Sequence, residues 1–194
     1  MIIGVAGKIG SGKSTVTKML VDFGFRMIDV DQLGHQALVS ERECIVGAFG
    51  PEVVDDDGQI DRRHLSALIF TNVEQRHRLE EIVHPVMVRQ VGMTIAESSN
   101  RVVIDAALLF PMELSKLCEQ VIWVRAPLLL RLFRTLIIDG KQPITVLRTM
   151  WAQRGRSLKR APAGVDTICV PCRNVYNVAG RTLLRRQIEV ILGL

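Results

Sequence analysis

The sequence predicts an α/β fold: a three-layer core around a parallel sheet, with two helical excursions rising from the strand ends where such sheets bind ligands. Three observations carry that prediction. Short apolar runs of strand character recur along the 194 residues, the first run leads through a glycine-rich loop into an amphipathic helix, and the long stretches between later runs have helical periodicity.

Met1 to Ala6 reads as a buried strand, and Ser14 to Phe23 as a helix with Val16, Met19, Leu20 and Phe23 on one face. Between them lies Gly7-Lys8-Ile9-Gly10-Ser11-Gly12-Lys13-Ser14-Thr15, which satisfies the pattern Gly, any four residues, Gly, Lys, Ser/Thr. Glycines leave backbone N–H groups free to converge on phosphate oxygens, and the helix that follows aims its positive end at the same place. Lys13 adds a mobile cation, Ser14 offers a hydroxyl to a magnesium ion, and Thr15 is suited to capping the first turn.

Arg26 to Val30 reads as a second strand leading into Asp31, so a crossover and a parallel sheet follow. Residues 32–99 are mostly helical and form an insertion, with turns at Gly50-Pro51 and at Asp55 to Gly58. Asp61 is placed to cap the helix carrying Leu65, Leu68 and Ile69. Thr71-Asn72-Val73-Glu74 has capping-box spacing before the helix carrying Leu79, Ile82 and Val83, and His84-Pro85 should end or kink that helix. Arg101 to Asp105 is the third strand, Gln120 to Val124 the fourth and Thr167 to Val170 the fifth. Pro127 starts a helix running to about Ile138, another helix follows Pro143 to about Arg154, and a last one covers about Arg181 to Leu192 with Leu184, Ile188 and Ile191 facing the sheet.

Hydrophobic residues at 48% and charged residues at 23% are ordinary globular values. No apolar run reaches the roughly 18 residues of a membrane span, since Arg131 and Arg134 interrupt Ala126 to Ile138. The apolar opening runs into a phosphate loop rather than a cleavage site, so a cytoplasmic enzyme is expected. The net charge of +5 is unevenly spread: residues 1–124 carry a net −5 and residues 125–194 a net +10. A basic C-terminal third should attract anions, polyphosphates in particular. Nucleic acid is not expected as a partner, because Phe133, Trp151 and Tyr176 give those basic residues little aromatic interleaving. Nothing in the sequence specifies an oligomeric state. Cys169-Val-Pro-Cys172 has the spacing of half a zinc site, but no second pair accompanies it, and it reads as a strand end. The four histidines, His35, His64, His77 and His84, show no metal spacing.

Phosphoryl transfer needs positioned phosphates, a metal, cations on the transferred group and a group that orients the acceptor hydroxyl. Asp31 suits an acceptor hydroxyl, as hydrogen-bond acceptor or general base, and suits helix N-capping equally; Asp29, nearer the strand, reads as structural. Asp105 ends an apolar strand beside the loop, a position for magnesium held directly or through water, with a turn or cap as the competing role. Of Arg131, Arg134 and Arg148 on the second excursion, one that swings onto the phosphates would stabilise the transition state, and most should be surface residues.

Taken together, these blocks resemble the dephospho-coenzyme A kinase family. The resemblance runs through Ile9 to Thr15, Ile28-Asp29-Val30-Asp31, Phe49-Gly50-Pro51, Asp57 to Arg62, Leu65 and Phe70, Leu79 to Pro85, and Asp105 to Phe110. It implies a P-loop NTPase core of the adenylate-kinase type, about residues 1–31, 100–126 and 161–194, with a five-stranded parallel sheet. It also implies a helical substrate-binding insertion at about 32–99 and a lid at about 127–160. The implied reaction is ATP-dependent phosphorylation of the ribose 3′-hydroxyl of dephospho-coenzyme A, with ATP and Mg2+ as cofactors. The alternatives are another small-molecule or nucleoside kinase, or a non-catalytic nucleotide-binding protein of the same fold.

Carried over, Gly10, Ser11, Gly12, Lys13, Ser14 and Thr15 hold ATP, and Lys13, Asp31, Arg134 and Arg148 form the catalytic set. Asp31, Arg62, His84 and Asp105 bind substrate, and Ser14 and Asp105 attend the metal. The chain departs from the family in three places. Arg134 falls on the first of two spaced lid arginines, but Ile138 occupies the second position. Pro111 stands where the family has an acid, with Glu113 nearby. Beyond Lys159 the likeness fades: Asp166 is a displaced counterpart of the family's acid, and Asn174 fits its later asparagine loosely.

Overall fold

The computed structural model describes residues 1–98, 101–106, 108–138, 170–178 and 180–194. The sheet has five strands: β1 (Ile2–Gly7), β2 (Arg26–Asp29), β3 (Val102–Asp105), β4 (Gln120–Arg125) and β5 (Cys172–Tyr176), in the spatial order β2-β3-β1-β4-β5. β1 pairs in parallel with β3 and with β4, and β4 with β5. The helices are α1 (Lys13–Asp22), α2 (Val30–Ser40), α3 (Arg42–Phe49), α4 (Arg62–Thr71), α5 (Val73–Ala96), α6 (Leu128–Phe133) and α7 (Gly180–Leu192), and α6 runs on into a π-helical turn at Arg134–Ile138. The α/β class and the parallel five-stranded sheet are as the sequence predicts.

Two compact units make up the chain: Met1–Ile28 with Ser98–Leu194, and Asp29–Glu97. In the first, Ile3, Val5, Val103, Ile122, Val124 and Val175 from the sheet share one buried cluster with Val16, Met19 and Leu20 of α1 and Leu184 and Ile188 of α7. Each such side chain fully removed from water contributes about 1.5–3 kcal/mol. At Gly4, in the middle of β1, an added Cβ would lie 2.8 Å from Leu109 Cδ2 and 2.9 Å from Cys118 Sγ, so residues 108–118 press directly on that strand. Burial pushes the Cys118 thiol up to about 12, which makes it an inert core group. In the second unit, α5 supplies Leu79, Val83, Val86, Met87 and Val91 to a core shared with Val30 and Ala37 of α2 and Leu65 of α4. A Cβ on Gly34 would stand 3.3 Å from Met87 Cε, which sets how closely α2 approaches α5.

Four local expectations are corrected. The fifth strand is Cys172–Tyr176; Val170 is only a bend, and Thr167 to Cys169 lie outside the described residues. Register explains the shift: the Pro171 carbonyl accepts from Val121 N–H at 2.9 Å, and the ladder begins with Val121 opposite Cys172. Of the end or kink expected at Pro85, the end does not occur, since α5 continues to Ala96. The backbone hydrogen bond that proline lacks is outweighed by burial on both sides of it, at Val83, Val86 and Met87. The cap of α5 is Asn72 rather than Thr71, its side chain accepting from the N–H groups of Glu74 and Gln75 at 2.9 and 3.2 Å. Thr15 lies inside α1 instead of capping it, because the N-cap position belongs to Gly12. Asp61 does cap α4, accepting from Arg63 and His64 N–H at 2.9 and 3.1 Å. The helix expected over 143–154 lies outside the described residues.

Candidate active site

The loop between β1 and α1 is built by turns only glycine adopts freely. Gly10 and Gly12 have φ of 72° and 93°, in the left-handed region. Ser11 N–H donates to the Lys8 carbonyl at 3.0 Å, and Thr15 and Val16 N–H both donate to the Gly12 carbonyl, at 3.1 and 3.2 Å. No side chain caps α1, and its first turn carries no acid. Its leading N–H groups and its dipole are therefore left to an external anion.

Two neighbours hold the loop from outside. From α6, Arg131 is buried, and its Nε donates to the Ile9 carbonyl at 2.8 Å. A Cβ on Gly10 would fall 2.6 Å from the Arg131 carbonyl, so the two backbones touch there. From the end of β5, Asn177 is buried, its N–H donates to the Arg125 carbonyl at 2.8 Å, and its Nδ2 donates to the Ser11 carbonyl at 2.9 Å. A Cβ on Gly12 would collide with that amide, so the second glycine is needed for the approach as well as for its φ.

Arg134 Nη2 donates to both the Asn177 carbonyl and Asn177 Oδ1, each at 3.2 Å, and Nη1 reaches the Ser11 carbonyl at 3.4 Å. Below it, Thr135 is buried and donates to the Arg131 carbonyl at 2.8 Å. Ile138 is 67% exposed at the end of the π-helical turn.

On the other side of β1, Asp105 sits opposite Val5 in register, and one carboxylate oxygen accepts from Thr17 Oγ1 of α1 at 3.0 Å. The donor set suits Mg2+. Ser14 brings an exposed hydroxyl oxygen at the start of α1, and Asp105 brings a half-buried carboxylate at the end of β3. No group of three or more His, Cys, Asp or Glu side chains assembles among the described residues.

The second unit carries the other predicted residues. Asp29, not Asp31, is the N-cap of α2, its Oδ1 accepting from Gln32 N–H at 3.0 Å. Asp31 lies exposed in the first turn and makes no hydrogen bond or ion pair among the described residues, so the capping role weighed for it is filled by its neighbour. Arg62, first residue of α4, lines a cavity of about 260 Å³ with Leu38, Val39, Arg42, Asp55, Gln59 and Ile60. The lining includes neither Asp31 nor His84. His84 is half-buried on α5, and burial pulls its imidazole below the ordinary range while Glu80 pulls weakly the other way. It is therefore neutral near pH 7.

Arg148 and Cys169 lie outside the described residues. Cys172 begins β5 half-buried, and burial raises its thiol. The sequence did not point to Asn177. The asparagine that reaches the loop is Asn177, whereas Asn174 is exposed in β5 and accepts from Arg125 Nε at 2.7 Å. Of the three arginines, most of which are expected on the surface, Arg131 is buried, with its Nε donating to a backbone carbonyl.

A parallel sheet whose first strand feeds a glycine loop and an uncapped helix, with arginines packed on the loop, defines a P-loop kinase fold. The structure superposes on TT1252 from Thermus thermophilus with a TM-score of 0.81 and 28% identity, over 100% of this chain and 96% of the other. It also shares its fold with the dephospho-CoA kinase from Campylobacter jejuni, TM-score 0.65 and 22% identity over 98% and 95% of the two chains. The sequence model of the dephospho-CoA kinase family matches residues 1–167, and the chain belongs to that family. The dephospho-CoA kinase of Borreliella burgdorferi is 39% identical over 128 residues, 65% of this chain and 62% of the relative. That of Bacillus cereus strain ZK is 38% identical over 131 residues, 64% and 66% of the two. The match thus spans somewhat less than two thirds of the curated relatives' length.

Proposed function

We propose that this chain transfers the γ-phosphoryl group of ATP to the ribose 3′-hydroxyl of dephospho-coenzyme A, giving coenzyme A and ADP in the last step of coenzyme A synthesis. The observation that carries the nucleotide half is the uncapped start of α1 behind a loop held open by glycines. Family membership carries the choice of acceptor.

In this reading Gly10 to Thr15 cradle the phosphates, through the N–H groups of Gly10, Gly12, Lys13 and Ser14 because those of Ser11 and Thr15 are engaged within the loop, and Lys13 neutralises charge on the transferring group. Arg134, hydrogen-bonded to the loop through Ser11 and Asn177, adds a second cation on the lid segment of about 127–160, of which 139–160 lie outside the described residues. Mg2+, when bound, offsets phosphate charge, and Ser14 and Asp105 would hold it, Asp105 directly or through water. Asp31 takes the proton of the 3′-hydroxyl as the ribose oxygen bonds to phosphorus and the bond to ADP breaks. Its carboxylate is available because Asp29 has the capping role. Arg62, beside Arg42 in a cavity of the Asp29–Glu97 unit, gives charge for the acceptor's phosphates. His84 contributes a neutral imidazole. The insertion of about 32–99 is the acceptor-binding region in this reading, and the enzyme is cytoplasmic.

A coupled assay tests the proposal: ATP-dependent formation of coenzyme A at roughly 1–100 per second is expected. ADP release with nucleoside acceptors but not with dephospho-coenzyme A would move the chain to another small-molecule kinase. Nucleotide binding without any turnover would make it a binding protein, the reading that Ile138 in place of a lid arginine would then explain.

A further inference from the structure

On the β4 side of the loop, a cavity of about 220 Å³ is lined by Lys8, Ser11, Trp123, Val124, Arg125, Ala126 and Arg131. That is room for several waters at about 30 Å³ each. Among the described residues, three of the seven that line it are cations and none is an acid. Arg131 is 8% exposed, and among the described residues its guanidinium has the Ile9 carbonyl as partner and no carboxylate. Lys8 likewise has no ion pair there, and Arg125 is engaged through Nε by the neutral Asn174 amide. A buried charge without a counter-charge is costly, so this arrangement favours an anion close by.

A second observation points the same way. Ser11 is 1% exposed, and its Oγ has no hydrogen-bond partner among the described residues. A buried hydroxyl left unmatched is destabilising, and an oxyanion in the adjoining cavity would accept its hydrogen bond. Ser11 is thus both a residue of the loop and part of the lining of the cavity.

We propose that this cavity is a second oxyanion site, for a phosphate group, separate from the nucleotide cradle of Gly10 to Thr15 and built from Lys8, Arg125, Arg131 and the Ser11 hydroxyl. Arginine and lysine donors converging in a concave site of low dielectric are suited to a doubly charged phosphate. The phosphate is either free inorganic phosphate or one carried by the acceptor substrate.

The test is calorimetric titration of the whole chain with inorganic phosphate at constant ionic strength. A non-hydrolysable ATP analogue is titrated first, so failure of the nucleotide reading shows in that step and failure of this one in the next. With the analogue saturating, and equally in Lys13→Ala, phosphate should still bind. Lys8→Gln and Arg125→Gln, both at solvent-accessible positions, should each weaken it about tenfold without lowering the melting temperature. Arg131→Gln, which keeps a donor for the Ile9 carbonyl, should do the same. Competition by dephospho-coenzyme A would identify a substrate-borne phosphate, and lack of competition the free ion; both support the site. No phosphate binding, binding abolished by the analogue, or binding indifferent to Lys8→Gln and Arg125→Gln would overturn it.

Discussion

Helix α1 and the helices of the Asp29–Glu97 unit begin in different ways. α2, α4 and α5 each start under a side-chain cap, from Asp29, Asp61 and Asn72. α1 starts at Gly12 with no cap and no acid in its first turn. α3 also lacks a cap, but Glu43 supplies negative charge to its first turn. Capping stabilises a helix by satisfying its leading N–H groups, so α1 forgoes that stabilisation where the ligand would provide it. The contrast separates a face built for binding from faces built for folding, and it extends to aspartates two positions apart. Asp29 is used by the fold, and Asp31 is left over.

The largest effect expected from breaking this contrast is at the bare helix. Lys13→Ala should lower turnover by about 10²–10³-fold, the scale for removing one preorganised donor, with an unchanged melting curve; full activity would remove Lys13 from the mechanism. Next comes Asp31→Asn, which should slow transfer while leaving nucleotide affinity and stability intact. A matching loss of stability would mean that Asp31 supports α2 after all.

Asn177→Ala removes the amide that holds the Ser11 carbonyl and Arg134. It should cost about 1–3 kcal/mol, the scale of leaving a buried polar group unpaired, and should weaken nucleotide binding in the same variant. Denaturant unfolding and nucleotide titration read the two effects. On the other side of the contrast, Asn72→Ala should cost about 0.5–2 kcal/mol of stability and leave nucleotide affinity untouched.

The smallest effect is on pH dependence. The imidazole of His84 is held below its ordinary value in the folded chain, mainly by burial, so the unfolded chain binds the proton more readily. Stability from this group is present above the unfolded value near 6.5 and is lost as pH falls from there through the lower folded value. Asp61 acts in the same sense at lower pH, since the His64 and Arg63 N–H groups hold its carboxyl below 3.8. His84→Gln should flatten the stability profile between about pH 5 and 7; an unchanged slope would assign that loss to other groups.

Where residues close in sequence decide the outcome, the chain is legible. The apolar run, glycine spacing and helical face of residues 1–23 announce β1, the loop and α1 before any coordinates. β5 is hidden because it is an edge strand in which Val175 alone is buried; Cys-Arg-Asn-Val-Tyr shows no apolar run. Pro85 misleads because its rule is local and the packing of α5 is not. Asn177 is invisible because its partner Ser11 lies at the other end of the chain, and Asn174, three residues earlier, looks the same on paper. Which of Arg131, Arg134 and Arg148 is buried is not legible locally, since the carbonyl that Arg131 meets belongs to Ile9.

Backbone amide shifts on adding ATP test the contrast most directly. The account predicts large changes at Gly10, Gly12, Lys13 and Ser14 and little change at Arg63, His64, Glu74 and Gln75, whose N–H groups are already engaged by Asp61 and Asn72. Shifts at those capped positions with none at Gly10 to Thr15 would contradict it.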